Sequence, residues 1–168
     1  MQPVCAALKS LRAGNSLKEE FAMQFTVTYG IAEYKSEDYG IILKLREDVM
    51  RKPIGLTLTE KDIVMDAGNI HVWQRINGQI IGTAMLVPKA NGVFQMRMVA
   101  LRPQARGLGL GACLVRYCEG LAAGMGYTKI ELDSRETAHG FYERLGYKTH
   151  GEVYLHVGIP HVFMDKKL

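Results

Sequence analysis

The stretch from Val93 to Ala112 constrains the fold of this 168-residue chain more than any other. An apolar run from Val93 to Leu101 predicts a strand, and Gly107, Gly109 and Gly111 then open an amphipathic helix. The first N–H groups of a helix have no partner within the helix and carry the positive end of its dipole. Glycines at alternate positions leave these donors open to a bulky anion. The segment therefore predicts a strand-to-helix turn that binds a phosphate or pyrophosphate.

A dinucleotide-binding fingerprint is one alternative for this segment. Gly107, Gly109 and Ala112 fit its glycine spacing, and Asp133 lies near the acidic position expected about 20 residues further on. In that fold, however, the glycines follow the strand almost at once, whereas Arg102 to Arg106 intervene here. Strand hairpins also precede the unit, and too little chain follows it to complete such a domain. We therefore favour another kind of anion site.

Close packing of the helix end is the other alternative for these glycines. Three alternating glycines lower intrinsic helix propensity by roughly 1 kcal/mol each, so packing alone explains them poorly. Arg106 adds a cation beside the exposed amides, which suits a ligand with more than one negative charge. We therefore expect a pyrophosphate at this turn.

The remaining patterns predict a mixed α/β (α+β) domain. Ser36 and the Thr59-x-x-Asp62 capping box mark two helix starts, and Asn77-Gly78 is a strong hairpin signal. Predicted strands are 25–29, 70–76, 79–87, 93–101, 129–133, 147–155 and 161–165. Predicted helices begin at 36, 59, 110 and 136. This order predicts a mostly antiparallel central sheet flanked by helices.

Composition limits the classes of protein to consider. Hydrophobic residues make up 48% and charged residues 23%, as in ordinary globular domains, and the length suits one domain. The net charge of +4 is too small and scattered to indicate a nucleic-acid partner. No apolar run approaches the 18 or so residues of a membrane helix. We read the three cysteines, including Cys113 and Cys118, as core thiols in a reducing, cytoplasmic compartment.

The first 22 residues differ from the rest of the chain. Lys9 and Arg12 precede the first acidic residue, Glu19, a composition that resembles a transit peptide. Met23 stands directly before the first strand-like run. We favour an N-terminal arm or an over-extended start for residues 1–22 over a targeting segment, and place the domain at 23–168.

Three motifs in order resemble those of the GNAT superfamily of acyl-CoA-dependent N-acyltransferases. Gln104–Gly109 matches the Q/R-x-x-G-x-G/A signature, and Ala138–Tyr147 resembles the A-x-x-F-Y-E-K/R-L-G-F/Y helix. Gly158–Met164 contains a Gly-Ile-Pro-His ending that resembles a bacterial-type subgroup of small GNATs. With 45–46 and 56–60 in the N-terminal half, the resemblance covers about 25–168. It implies a single GNAT-like domain.

The resemblance implies acetyl-CoA as co-substrate, without a metal. The amides of the glycine turn would hold the pyrophosphate, and the end of the preceding strand would pair with the pantetheine. Arg135 stands where the family frequently has an asparagine. The cofactor residues implied are Val99, Ala100, Leu101, Gln104, Arg106, Gly107, Leu108, Gly109, Leu110, Gly111, Ala112 and Arg135.

Direct attack on a thioester requires a donor at the carbonyl, a proton donor at sulfur and a base for the amine. A main-chain N–H near Val99 is our candidate for the first and Tyr142 for the second, with a core aromatic as the alternative for Tyr142. The strand before the signature lacks the glutamate that many GNATs carry there. His161 is our first candidate for the base. The other candidates are Glu152, His156 and His139.

Few residues in the sequence indicate which acceptor the protein binds. Arg46 and Arg51 lie on or just after the first predicted helix, where they would bind a carboxylate or phosphate or else belong to a solvated face. Glu152 completes the predicted acceptor residues. We expect an N-acetyltransferase that acts on a primary amine of a small molecule, and we allow for a homodimer. The alternative is a non-catalytic acyl-CoA-binding or regulatory module that has lost its base.

Overall fold

The computed structural model describes residues 26–168, so the predicted arm at 1–22 and the start of the first predicted strand lie outside it. The strands are β1 (Val27–Ala32), β2 (Ile70–Ile76), β3 (Gln79–Lys89), β4 (Val93–Leu101), β5 (Lys129–Arg135), β6 (Lys148–His156) and β7 (Ile159–Lys167). The α-helices are α1 (Glu37–Arg46), α2 (Glu60–Met65), α3 (Leu110–Gly124) and α4 (His139–Glu143). A π-helical turn over Glu47–Arg51 continues α1.

The seven strands form one sheet in the order β1-β2-β3-β4-β5-β7-β6. All neighbours pair antiparallel except β4 and β5, which are parallel. This confirms the predicted mixed α/β domain with a mostly antiparallel sheet. The parallel pair is central, and α3 makes the crossover between its two strands.

Local signals placed most of the turns and helix starts correctly. The Ser36 side chain accepts from the N–H of Tyr39 at 3.2 Å, and Thr59 and Asp62 form the predicted capping box. Asn77 and Gly78 both have positive φ, at 49° and 85°, as a two-residue hairpin turn requires. These elements therefore follow from side-chain capping and turn chemistry near each site.

The sheet is covered on both faces. The larger core lies between the sheet and α3, where Leu114 and Cys118 pack with Leu132 and Met164. On the opposite face, Leu45 of α1 packs on strand residues of a smaller cluster. Since strand residues alternate between the two faces, neighbouring residues of β4 and β5 point to different helical layers.

Several elements differ from their predicted extent, and β7, for example, runs from Ile159 to Lys167 where 161–165 was predicted. Strand β5 runs on to Arg135, because Ser134 and Arg135 pair with residues of β7. The helix predicted from Glu136 to Leu145 instead begins as a 3₁₀ turn, and α4 itself has five residues. Gly140 lies inside α4, where its low helix propensity argues against a longer helix.

One predicted core thiol is confirmed, because Cys118 is buried and free. Within residues 26–168, no helix combines the length and apolar character needed to cross a bilayer.

Candidate functional site

A cleft of about 410 Å³ opens where β4 and β5 separate. The two strands pair from Val93 to Gln95 on β4, opposite Lys129 to Glu131 on β5. Beyond Gln95 the ladder ends, and the following residues of both strands line the cleft. The main chain of two neighbouring strands is therefore available to a ligand inside the sheet.

A bulge in β4 lies on the wall of this cleft. Thr83 pairs with Ala100 and Met85 pairs with Arg97, so Met98 and Val99 stand opposite one residue of β3. Met98 has a φ of 53°, in the left-handed region. Because a bulge leaves an extra residue outside the ladder, it changes the direction of main-chain groups. The predicted oxyanion donor near Val99 lies at this irregularity.

The glycine turn has the open main chain that the sequence predicts. Gly107 and Gly109 both have a φ of 76°, and open space surrounds the position of a Cβ at Gly107. Gly109 is the N-cap of α3, and among residues 26–168 no side chain caps this helix end. A Cβ at Gly111 would lie 3.0 Å from Leu101 Cδ1. The donors and the free space therefore suit a pyrophosphate.

Other predicted cofactor residues surround this turn. Val99, Ala100, Leu101, Arg106, Gly111 and Arg135 line the cleft. The Arg106 Nε donates to the Leu101 carbonyl oxygen at 3.4 Å, which ties the turn to the end of β4. Leu108 is 56% exposed, and Gln104 lies in a 3₁₀ turn outside the cleft. Six of the twelve predicted cofactor residues therefore line the cleft. The other six lie outside its lining: Gln104, Gly107, Leu108, Gly109, Leu110 and Ala112.

Tyr142 lies on α4 and lines the cleft, although it is buried. Its ring makes edge contacts with Phe141 at 4.9 Å and with Tyr147 at 5.6 Å between centroids. Burial, and to a lesser degree Cys118, raises the pKa of the phenol well above its ordinary value of 10.0. The hydroxyl therefore keeps its proton at neutral pH, as a proton donor must.

His161 lies on β7 and also lines the cleft. Its Nδ1 lies 2.8 Å from the main-chain oxygen of Ile159. A carbonyl oxygen can only accept, so Nδ1 carries the proton and donates it. In the neutral ring, Nε2 is then left with a lone pair. Tyr142 and His161 therefore share one cleft, with a donor on one and an acceptor on the other.

The predicted acceptor residues are not brought to the cleft. Arg46 is 2% exposed and donates to Asp66, so its guanidinium is already committed. Arg51 pairs with Asp62 at 2.9 Å. Glu152 is exposed on β6. None of these three lines the cleft, and we do not carry them into the acceptor site.

The other base candidates also lie outside the cleft lining. The His139 Nε2 lies 2.7 Å from the hydroxyl oxygen of Thr149 on β6. His156 contacts the ring of His161 edge-on, with centroids 5.5 Å apart. Of the four candidate bases, His161 alone lines the cleft.

Sequence reasoning passed over several residues of the cleft. Val49 and Met50, from the π-helical turn after α1, form an apolar wall. Arg97 on β4 and Asp133 on β5 also line the cleft and carry opposite charges. The alternation of polar and apolar residues along 94–98 was a signal for Arg97, since it places polar side chains on one face of the strand. Asp133 was considered solely for the dinucleotide alternative.

Comparison with known proteins gives one family. The family model of the acetyltransferase (GNAT) domain matches residues 56–168. A crystal structure assigned as an N-acetyltransferase from Lactobacillus plantarum has a TM-score of 0.76 and 26% identity, over 86% of this chain and 98% of that one. An aminoglycoside 6'-N-acetyltransferase complexed with coenzyme A has a TM-score of 0.67 and 19% identity, over 83% of this chain and 96% of that one.

Sequence relatives are similar over shorter stretches. A glucosamine 6-phosphate N-acetyltransferase from Trypanosoma brucei brucei is 38% identical over 80 residues, 44% of this chain and 54% of the relative. The matches span between 50% and 66% of the length of the first three curated relatives. The similarity thus covers about half to two thirds of these proteins.

Proposed function

The chain belongs to the GNAT acetyltransferase family, and on this premise we propose that it transfers the acetyl group of acetyl-CoA to a primary amine of a small molecule. One observation carries the proposal. Tyr142 and His161 lie at a cleft that begins at the glycine turn and ends between two separated strands. A donor, an acceptor and an anion site therefore stand in one continuous space.

The residues around the cleft fit acetyl-CoA. We assign the pyrophosphate to the amides of the turn from Arg106 to Ala112, where α3 has no side-chain cap from the described part of the chain. We assign the pantetheine to the unpaired edge of β4 from Val99 to Leu101, and keep Arg135 as a cofactor residue. The coenzyme A bound to the aminoglycoside acetyltransferase supports this choice of cofactor.

The acceptor amine must lose a proton before it attacks. A lysine-like amine has a pKa of about 10.4, so deprotonation at pH 7 costs roughly 4.6 kcal/mol. We assign this proton to Nε2 of His161, because Nδ1 is occupied by the Ile159 carbonyl. The hydrogen bond to the Ile159 carbonyl then holds the His161 imidazole in the same orientation before and after each proton transfer.

The other two roles belong to a main-chain group of β4 and to a side chain of α4. Acetyl-CoA supplies an activated thioester carbonyl, and the main-chain N–H near Val99 donates to its oxygen as negative charge develops. Tyr142 donates its proton to the departing sulfur, since burial keeps the phenol protonated. The acid and the base are thus separate residues on α4 and β7.

A small-molecule acceptor is supported by the relatives. The trypanosomal enzyme is named for glucosamine 6-phosphate and the coenzyme A-bound enzyme for an aminoglycoside, and both of these are small amines. Cytoplasmic location and a homodimer stay predictions, as do the lack of a metal, a membrane or a nucleic-acid partner. We keep the acyl-CoA-binding module as the alternative function, because β4 has no acid in its first six residues.

Turnover separates the two functions. Purified protein is mixed with acetyl-CoA and a panel of primary amines, and thiol release is followed over time. We expect amine-dependent release that His161→Gln reduces strongly. His150→Gln is the matched control, since His150 lies on the exposed strand β6 and pairs with Asp165. Saturable acetyl-CoA binding without turnover for any amine would instead support the binding module.

A further inference from the structure

Two opposite charges share the face of the sheet on which α1 lies. On β5, Ile130, Leu132 and Ser134 are buried toward the α3 side, so Asp133 points the other way. On β4, Phe94 and Met96 are buried toward α3, so Gln95 and Arg97 share the face of Asp133. Arg97 and Asp133 both line the cleft.

Asp133 is held in place from two strands. The Gln95 Nε2 donates to Oδ2 at 3.1 Å, and the Tyr154 hydroxyl donates to Oδ1. Burial, with the hydrogen bond to Asp133, raises the pKa of Tyr154 to about 12, so the phenol remains a donor at neutral pH. A carboxylate has about four acceptor sites, and two remain for a ligand. The Asp133 carboxylate is therefore held in one orientation and can still accept further hydrogen bonds.

Arg97 has no such partners. Among residues 26–168 its guanidinium forms no hydrogen bond and no ion pair, not even with Asp133. By contrast, Arg46, Arg51 and Arg75 each pair with a carboxylate. A half-buried guanidinium has lost part of its hydration, and without a partner no hydrogen bond or ion pair offsets that loss. It is therefore well suited to bind an anion bidentately.

We propose that the acceptor is a zwitterion held at two points: Asp133 binds its ammonium and Arg97 binds its carboxylate or phosphate. The proposal rests on the proposed function, since it names the substrate class of the same cleft. Two opposite charges that do not pair with each other leave space for a molecule with both. The main-chain bulge after Arg97 places this site beside the predicted thioester position.

Matched pairs of amines test the class of acceptor. We would compare phosphoethanolamine with ethanolamine, glucosamine 6-phosphate with glucosamine, and 4-aminobutyrate with butylamine. For at least one pair, kcat/KM should be at least tenfold higher with the anionic member. Phosphate and carboxylate members then identify which anion binds. An equal or lower kcat/KM for every anionic member would overturn the proposal.

Variants assign the two contacts to their residues. Arg97→Gln should abolish the preference for the anionic member and leave the Kd of acetyl-CoA unchanged. Arg135→Gln is the matched control, because its guanidinium lines the same cleft and is assigned to the cofactor. It should raise the Kd of acetyl-CoA without removing the preference. If Arg97→Gln instead raised that Kd and kept the preference, Arg97 would belong to the cofactor and the proposal would fail.

Asp133 needs a readout beyond loss of activity. Asp133→Asn should raise KM for both members of the preferred pair, because the ammonium loses its partner. Tyr154→Phe should raise KM less and leave kcat nearly unchanged, since it removes a positioning bond alone. Unchanged KM in both variants would exclude Asp133 from the acceptor site.

Binding measurements separate this proposal from the proposed function. Calorimetry with coenzyme A-loaded protein measures the Kd of each amine without turnover. If no amine releases thiol, the transferase proposal fails, whereas tighter binding of anionic members, lost in Arg97→Gln, upholds the two-point site. If the anionic members show neither selective turnover nor tighter binding, the two-point site itself is overturned.

Discussion

Arg46 donates to both carboxylate oxygens of Asp66, at 2.6 and 3.3 Å, and both side chains are almost fully buried. Tyr39 donates to the same carboxylate at 2.7 Å, and the Nε2–H of His71 donates to the Asp66 carbonyl oxygen at 3.0 Å. The network joins α1, the end of α2 and β2. It fixes the helix whose extension forms the wall of the cleft.

Removal of the Asp66 charge should destabilise the fold. Asp66→Asn leaves the Arg46 guanidinium buried without a counter-charge, which typically costs about 3–5 kcal/mol. The free energy of unfolding, measured in urea by circular dichroism, should fall by that amount. Asp48→Asn is the control, because Asp48 pairs with exposed Lys44 and Lys52 at the surface. Equal losses in the two variants would mean that the buried pair has no special role.

A side chain at the glycine turn should weaken cofactor binding. Gly109→Asp places a carboxylate at the start of α3, where it strains a positive φ and repels the pyrophosphate. We expect at least a tenfold higher Kd for acetyl-CoA by calorimetry. Gly126→Asp is the control, since Gly126 has a φ of 83° with open space around it at the far end of α3. An unchanged Kd in Gly109→Asp would remove this turn from the site.

Loss of the Tyr142 hydroxyl should lower turnover and keep the fold. Tyr142→Phe retains the ring contacts, and kcat should fall about 10²-fold, the usual scale for a general acid. The deficit should shrink as pH rises toward the thiol pKa of about 8.5, because the thiolate then leaves unassisted. Tyr147→Phe removes a buried hydroxyl behind the cleft and should retain kcat. Wild-type kcat in Tyr142→Phe from pH 6 to 9 would make Tyr142 a packing residue.

The buried tyrosines should also make the fold sensitive to alkali. Burial raises the pKa of Tyr142 and Tyr147 above 10.0 in the folded chain. The folded state therefore keeps protons that the unfolded chain loses, so this stabilisation is complete below about pH 10 and is lost as pH rises further. Unfolding free energies from pH 8 to 11 should fall less steeply in Tyr142→Phe than in the wild type. Parallel curves would contradict a buried, protonated Tyr142.

The sequence predicted those elements that depend on local chemistry. Ser36, the Thr59 capping box and Asn77-Gly78 gave the correct starts and turns, because each acts through its own neighbours. The β6–β7 turn was less visible: Val157 has a φ of 52°, a conformation that a β-branched residue rarely adopts. The pairing of β6 with β7 selects this turn, and a short stretch of sequence around Val157 does not reveal that pairing.

Some residues of the candidate site could be predicted from the sequence, and others could not. The glycine turn and Tyr142 lie within recognisable motifs, and both line or adjoin the cleft. Arg46, Arg51 and Glu152 were predicted from their place on an element, which does not specify their partners. Arg97 and Asp133 line the same cleft because β4 and β5 are neighbours in the sheet, although Gln95 and its partner Glu131 are 36 positions apart in the chain.

The separation of β4 and β5 gives the sheet an edge in its interior. Edge strands at the rim of a sheet are open to pairing with strands of other molecules, which favours aggregation. Here the unpaired groups face each other across a narrow gap between helical layers, so a bulky chain is kept out while a slender, extended molecule can enter. We expect such a molecule to slow amide exchange along 96–101, and to raise thermal stability with its concentration. The sheet would then be complete in its ligand-bound state.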